Sequence, residues 1–270
     1  METNLPDLTY IINLMKRQSG IVFSADKSYI ILTKLYPLID KYHFTNIEEL
    51  LVAVQANSNP VLIADLIETL TINETSFFRD RYPYEVIDKY VIPELLQHNP
   101  NQKEIRILCA ACSTGQEPYS LIMHFLEHKQ YRFDCKITAI DLSGAVIKKA
   151  KEGIYNQFEI QRGLPITLLV KYFSQIEKDW VIKDELKKHI EFRQFNLVNG
   201  LGILGKFDLI FCRNVLIYFD DALRKQVILN LGQVLNPNST LILGSSESVP
   251  ADNVQFNKIT EYSGVYRSMG

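Results

Sequence analysis

I-R-I-L-C-A-A-C-S-T-G-Q-E-P-Y-S, Ile105 to Ser120, is an apolar run of strand character that breaks into small residues and restarts as a helix. Ala110, Ala111, Cys112, Ser113, Thr114 and Gly115 carry little side-chain bulk, so backbone amides and a helix N-terminus can come close to a bound molecule. A dinucleotide fingerprint has three glycines here, whereas this loop has Gly115 alone. Glu117 stands where a pyrophosphate needs neutral or positive groups, and it suits a cationic or hydroxyl-bearing ligand better. An ordinary tight strand-to-helix connection accounts for the loop by itself equally well.

Working outward, strands and helices alternate, which is the pattern of an α/β fold with helices on both faces of a parallel sheet. The strands are expected at Ile105 to Ala110, Lys136 to Ile140, Ile190 to Phe195, Phe207 to Cys212 and Thr240 to Gly244. Helices are expected at Glu117 to Lys129, Ser143 to Glu152 and Asp221 to Leu235, with a late strand or hairpin over Phe256 to Met269. Pro165 to His189 breaks the alternation with a helical run, Leu168 to Phe173, and a short strand at Trp180 to Ile182. It reads as a small insertion that pairs with itself, either a structural flap or a cap over a ligand or partner.

Ahead of this sheet, Leu5 to Leu70 reads as helices only. Leu8, Ile11, Ile12 and Met15, then Ile30, Ile31, Leu35 and Leu38, recur at helical spacing. Thr45 and Glu48 are expected to form a capping box, and Asn59-Pro60 to open a fourth helix, Val61 to Leu70. Between bundle and sheet, Ile72 to Tyr84 is a polar and aromatic joint. It reads as packing between domains or, through Asn73, Thr75 and Arg79, as part of a ligand site.

With 270 residues, 47% hydrophobic and 22% charged, the chain can build one large core and a smaller unit. A net charge of −2 provides no general attraction to nucleic acid or anionic membrane. The cysteines, Cys109, Cys112, Cys135 and Cys212, sit in or beside apolar runs as reduced, buried thiols do, which fits a cytoplasmic protein. Cys109 and Cys112 form C-x-x-C, but no second pair or His cluster completes four metal ligands, and no metal site is expected. No apolar run nears the length of a membrane span.

Ligands of an open α/β sheet bind beyond the carboxyl ends of its strands. The polar positions just past the successive apolar runs are Glu117, then Asp141, then Asn196 with Leu197, then Arg213 and Asn214. An acid after the second strand is placed to hold ribose hydroxyls, although Asp141 could also serve as a cap near Ser143.

These residues resemble a known family. N-E-T-S-F-F-R (73 to 79), A-C-S-T-G-Q-E-P-Y-S (111 to 120), A-I-D-L-S (139 to 143), F-N-L (195 to 197) and F-D-L-I-F-C-R-N-V-L-I-Y-F (207 to 219) are similar to the CheR-type chemotaxis receptor methyltransferases, in the same order and over nearly the whole chain. The resemblance implies a class I S-adenosylmethionine methyltransferase sheet, Rossmann-like, with an N-terminal helical domain over 1–72 and linking helices over 73–100. The methyltransferase domain would span 101–270, with a small inserted β-subdomain at about 165–190. It implies S-adenosylmethionine as cofactor, S-adenosylhomocysteine as product, and glutamyl methyl esters formed on the cytoplasmic helical region of chemoreceptors. By the same resemblance Asn73, Thr75 and Arg79 line the cofactor and transfer site, Glu117 meets the methionine end and Asp141 the ribose. Asn196, Leu197, Arg213 and Asn214 complete the pocket, and Tyr218 stands near the methyl group, so that Arg79 and Tyr218 are the candidate catalytic residues.

The chemistry is consistent with these residue types. A glutamate has a reference pKa of about 4.3, so the acceptor is ionised at neutral pH and no general base is required. Amine methylators typically resemble Asp/Asn-Pro-Pro-Tyr/Phe after the fourth strand. Arg213-Asn-Val-Leu-Ile-Tyr218 has no proline and favours an oxygen acceptor. Two departures from the family pattern stand out. The helical domain is not basic, with five Lys/Arg against eight Asp/Glu over residues 1–72. The stretch between Phe173 and Ile190 is short, so weak or absent binding of a receptor tail peptide is expected. A monomer is expected; the alternatives are a methyltransferase with another acceptor or a cofactor-binding signalling module.

Overall fold

The computed structural model describes residues 7–23, 28–128, 131 and 133–269, and these divide into two compact units, 1–72 with 218–223 and 73–217 with 224–270. Leu5 and Lys129, at the ends of two expected elements, lie outside the described residues.

The first unit contains four helices, α1 (Thr9–Ser19), α2 (Ser28–Tyr42), α3 (Ile47–Ala56) and α4 (Pro60–Leu70). Their inward faces meet in a core that includes Ile11, Met15, Ile31, Leu35, Leu50, Leu62 and Leu66, spaced as the apolar periodicity required. Asn59 caps α4 by accepting from the amides of Val61 and Leu62, with Pro60 supplying the preset first turn. The cap of α3 falls one residue later than expected. Asn46, in extended backbone, accepts from Glu49 N, while Glu49 Oε2 accepts from Thr45 N. Asn is at least as good an N-cap as Thr, and here it takes the position from its neighbour. Tyr218 packs on this core, its carbonyl accepting from Val22 N at 2.9 Å, and Asp220 pairs with Lys16 at 2.8 Å. Among the described residues no single helix is long and apolar enough to cross a membrane.

The second unit opens with a helical stretch, α5 (Tyr82–Val86), a π-helical turn (Ile87–Val91) and α6 (Ile92–His98). Pro93 has no N–H to give to the carbonyl four residues back, which is a local reason for the widened turn before it. There follow β1 (Glu104–Ala110), α7 (Gln116–Glu127), β2 (Asp134–Asp141), α8 (Gly144–Glu152), β3 (Ile154–Asn156), α9 (Gln157–Gln161), α10 (Ile166–Tyr172), β4 (Phe173–Ile176), β5 (Asp179–Ile182), α11 (Asp184–Lys187), β6 (Ile190–Gln194), β7 (Phe207–Cys212), α12 (Asp221–Val234), β8 (Leu235–Leu243), β9 (Phe256–Lys258) and β10 (Val265–Ser268). The main sheet has the order β6-β2-β1-β7-β8-β10-β9. The first five strands in that order are parallel, and β10 runs antiparallel to both β8 and β9. This is the Rossmann-like sheet expected from the sequence, with a terminal hairpin at one edge. Strands β1 and β7 have near-continuous apolar burial, as strands covered on both faces do.

The small sheet is ordered β3-β5-β4, and β4 pairs with β5 as the self-pairing insertion required. Its third strand, Ile154–Asn156, comes from before the expected insertion. Three residues with only Tyr155 buried leave no readable alternation. All four cysteines are free and buried, and burial pushes the Cys109 and Cys112 thiols well up, away from metal or redox chemistry.

The segment read as a joint between domains packs inside the second unit. Phe77 is fully buried, edge-on to Tyr155 and Phe173 at 5.0 and 5.7 Å. Gly163, at φ +95°, lies so close to it that a Cβ would stand 2.0 Å from the Phe77 carbonyl oxygen. Gly163→Ala is expected to destabilise the protein by ~2 kcal/mol or more, through left-handed backbone strain and the forced shift of this segment. A urea unfolding midpoint equal to wild type would contradict this packing.

Candidate active site

Between β1 and β7 the chain direction of the sheet's construction reverses, and the loops leaving these two strands flank a switch-point crevice. The first of these loops is strained: Ala111 and Ser113 both have positive φ, 61° and 50°, and Gly115 follows at 93°. A Cβ on Gly115 would also lie 2.9 Å from that of Ala150, so the position needs glycine for both conformation and space. Hydrogen bonds to its neighbours hold the loop in this form. Cys112 N donates to Ile140 O (2.9 Å), Ser113 Oγ to Asn73 O (2.7 Å) and Tyr155 Oη to Thr114 O (2.7 Å).

Asp141, at the end of β2, is buried and accepts from Ser113 N at 2.8 Å and Ser143 N at 3.0 Å. Ser143, not Asp141, caps α8 by accepting from Val146 N. Both carboxylate oxygens of Asp141 thus accept from backbone amides, and a carboxylate oxygen can accept more than one hydrogen bond. Phe195 N donates to Asp141 O at 2.8 Å, which brings Asn196 and the buried Leu197 beside it. Asn196 Oδ1 accepts from Val198 N and so shapes its own turn.

Glu117 opens α7 and faces Arg213 across the switch point. Arg213 Nη1 donates to Glu117 Oε2 (3.0 Å), while Nη2 donates to Asp80 Oδ2 (2.7 Å) and Arg79 O (3.2 Å). The Arg213 side chain is only 2% exposed. Burial raises the Glu117 pKa above the usual carboxylate range, and Arg213 pulls it back. A second cation beside this carboxylate would lower it further.

Arg79 itself is half-buried and donates from Nη1 to the carbonyl of Glu74, within its own segment. Thr75 lies in the same segment, half-buried. The structure therefore brings together Asn73, Arg79, Glu117, Asp141, Asn196, Leu197 and Arg213 around the exits of β1, β2, β6 and β7. Tyr218 is grouped with the helical unit.

One residue of this region escaped the sequence reading. Glu247 is buried, and its carboxylate accepts from four backbone amides: Gly244 and Asn214 on Oε2 (2.8 and 2.7 Å), Val215 and Leu216 on Oε1 (2.9 and 2.7 Å). Asn214, at φ 59°, is held in its left-handed turn by this grip, and with it the loop that carries Arg213. The available signal was an acid, in S-S-E (245 to 247), soon after the fifth apolar run. A glutamine offers one acceptor oxygen where the carboxylate has two, and turns an NH2 toward two amides. Glu247→Gln is expected to cost about 2–4 kcal/mol in urea unfolding and to weaken cofactor binding. A loss below ~0.5 kcal/mol would show that the four bonds do not organise the loop.

The buried or half-buried carboxylates, the small-residue turn and the glycine cradle fit a ligand with a cationic end and a ribose. Comparison with known proteins gives the same answer. Residues 73–265 match the family model described as CheR methyltransferase, SAM binding domain, and residues 6–71 match CheR methyltransferase, all-alpha domain. A chemotaxis protein methyltransferase of Pseudomonas putida is 36% identical over 255 residues, covering 92% of this chain and 92% of its own. One from Pseudomonas aeruginosa is 37% identical over 241 residues, covering 87% of each. Another, from Borreliella burgdorferi, is 34% identical over 263 residues, covering 95% of this chain and 91% of its own. The chain belongs to the CheR methyltransferase family, the S-adenosylmethionine-dependent chemotaxis methyltransferases.

Proposed function

We propose that this methyltransferase esterifies glutamate side chains on the cytoplasmic helical region of chemoreceptors. The observation that carries the reading is the pair of acids, Glu117 and Asp141, set on either side of the small-residue turn. They match the two polar ends of the cofactor: Glu117 takes the ammonium of the methionine moiety, and Asp141 takes the ribose hydroxyls. Asn73, Thr75, Asn196, Leu197 and Asn214 line the rest of the pocket. Arg213 is a positioning residue, since both terminal nitrogens of its guanidinium are engaged, by Glu117, Asp80 and the Arg79 carbonyl.

Bound S-adenosylmethionine supplies an electrophilic methyl group on sulfur. The acceptor carboxylate would already be ionised at neutral pH, so the chain would have no proton to remove and would need only to align the groups. Arg79 pairs with the incoming carboxylate, exchanging its bond to the Glu74 carbonyl for a bidentate one. Esterification removes one negative charge per glutamate and relieves repulsion between neighbouring receptor helices.

The test is transfer of labelled methyl from S-adenosylmethionine to membranes carrying the organism's chemoreceptors, read as methanol released by alkali. Label on the receptor, released by base, is the expected result. Arg79→Ala is expected to lose at least about 100-fold in transfer while keeping its far-UV circular dichroism. A folded Arg79→Ala enzyme of normal activity would remove Arg79 from the reaction. Cofactor binding without any labelled receptor would point to another acceptor.

A further inference from the structure

Away from the sheet's carboxyl edge, the second unit brings together two histidines and an aspartate. His124 and His128 lie one helical turn apart at the C-terminal end of α7, and Asp88 comes from the π-helical turn Ile87–Val91. Their candidate ligand atoms all fall within 4.8 Å of one another. His124 Nε2 is 2.8 Å from Asp88 Oδ1, and His128 Nε2 is 3.4 Å from Asp88 Oδ2. The side chains of His128 and Asp88 are 30% and 33% exposed, so an ion from solvent can reach them.

The tautomers decide what this group can do. His128 Nδ1 lies 2.8 Å from the His124 carbonyl oxygen, which only accepts, so Nδ1 carries the proton. The neutral ring then turns the Nε2 lone pair toward a carboxylate oxygen, acceptor against acceptor, and the pair attracts only with a positive charge between them. An imidazole whose Nδ1–H is anchored to a backbone carbonyl while Nε2 is presented outward is how metal-ligating histidines are usually held. The carboxylate is anchored as well, since Tyr131 Oη donates to Asp88 Oδ1 at 2.6 Å and the Tyr131 ring stacks on that of His128.

We propose that Asp88, His124 and His128 form a binding site for a divalent transition-metal ion of the zinc class. Two ligand atoms on a tetrahedral ion, each about 2.0–2.1 Å from it, lie about 3.3–3.4 Å apart, the separation of His128 Nε2 from Asp88 Oδ2. His124 joins through Nε2 once its ring proton sits on Nδ1, and solvent completes the fourth position. Two imidazoles and one carboxylate select zinc, cobalt or nickel over calcium or magnesium. The ion would fasten the π-helical turn to α7, the helix whose first turn carries Glu117. The buried thiols are no competitor for it. The sequence expectation of no metal, that neither a second cysteine pair nor a His cluster completes four ligands, could not see Asp88 meeting this His-x-x-x-His pair from 36 residues away.

The test is calorimetric titration of the chelator-stripped full-length protein with zinc chloride, repeated on His128→Gln and Asp88→Asn. One equivalent bound by wild type, weakened at least about tenfold in both variants, is expected. Both variants should still bind S-adenosylhomocysteine as wild type does, which shows that they are folded. Cobalt should give the visible absorption of a tetrahedral site in wild type only. No zinc binding by wild type, or binding undiminished in folded His128→Gln, would overturn the site.

Discussion

A guanidinium buried to 2% exposure has to be surrounded by acceptors, and Arg213 organises its part of the fold through that requirement. It draws in Glu117 from the helix after β1, and Asp80 and the Arg79 carbonyl from the segment before the sheet. Three stretches distant in sequence thus converge on one side chain at the exit of β7. Glu117 shows the effect from the other side: burial alone would favour its neutral form, and Arg213 offsets this. Replacing a buried charge pair by apolar groups is often tolerable for stability, but leaving one partner alone is not.

Arg213 holds its place because its own loop is held. Glu247 gathers four amides from the loops after β7 and β8, so a single carboxylate fixes the path of Arg213-Asn214-Val215-Leu216. On the other side of the crevice, the left-handed residues Ala111 and Ser113 are kept in place by bonds that Ser113 donates to the Asp141 carboxylate and the Asn73 carbonyl and by Ala150 against Gly115. Strain at this turn is offset by packing around it, as at many ligand sites.

The parallel sheet was legible because buried strands and amphipathic helices alternate in the sequence, and the polar residues at the strand ends could be read from the same runs. What stayed hidden depends on partners far away in sequence. Ile154–Asn156 is a strand only because Trp180 and its neighbours pair with it. Glu247 is unremarkable until four amides point at it. Asn46 took a cap that Thr45 could also have filled, a choice between adjacent residues that composition does not make. The proposed roles of Asn73, Thr75 and Arg79 come from family resemblance, since nothing in an aromatic and polar joint specifies a cofactor. The packing of Phe77 against Tyr155 and Phe173 was likewise out of reach, because both rings belong to or adjoin the small inserted sheet.

The four-amide grip of Glu247 also bears on binding thermodynamics. A loop that closes only around its ligand loses conformational entropy at every association, about 1–2 kcal/mol for each backbone residue that becomes fixed. Here the residues after β7 are ordered by a bond set internal to the chain, so that loss falls on folding, once. Association with a small cofactor can then be fast and readily reversible, with its affinity set by the contacts themselves. An enzyme that must exchange spent cofactor for fresh at each turnover benefits from that arrangement more than from a pocket that has to be assembled each time.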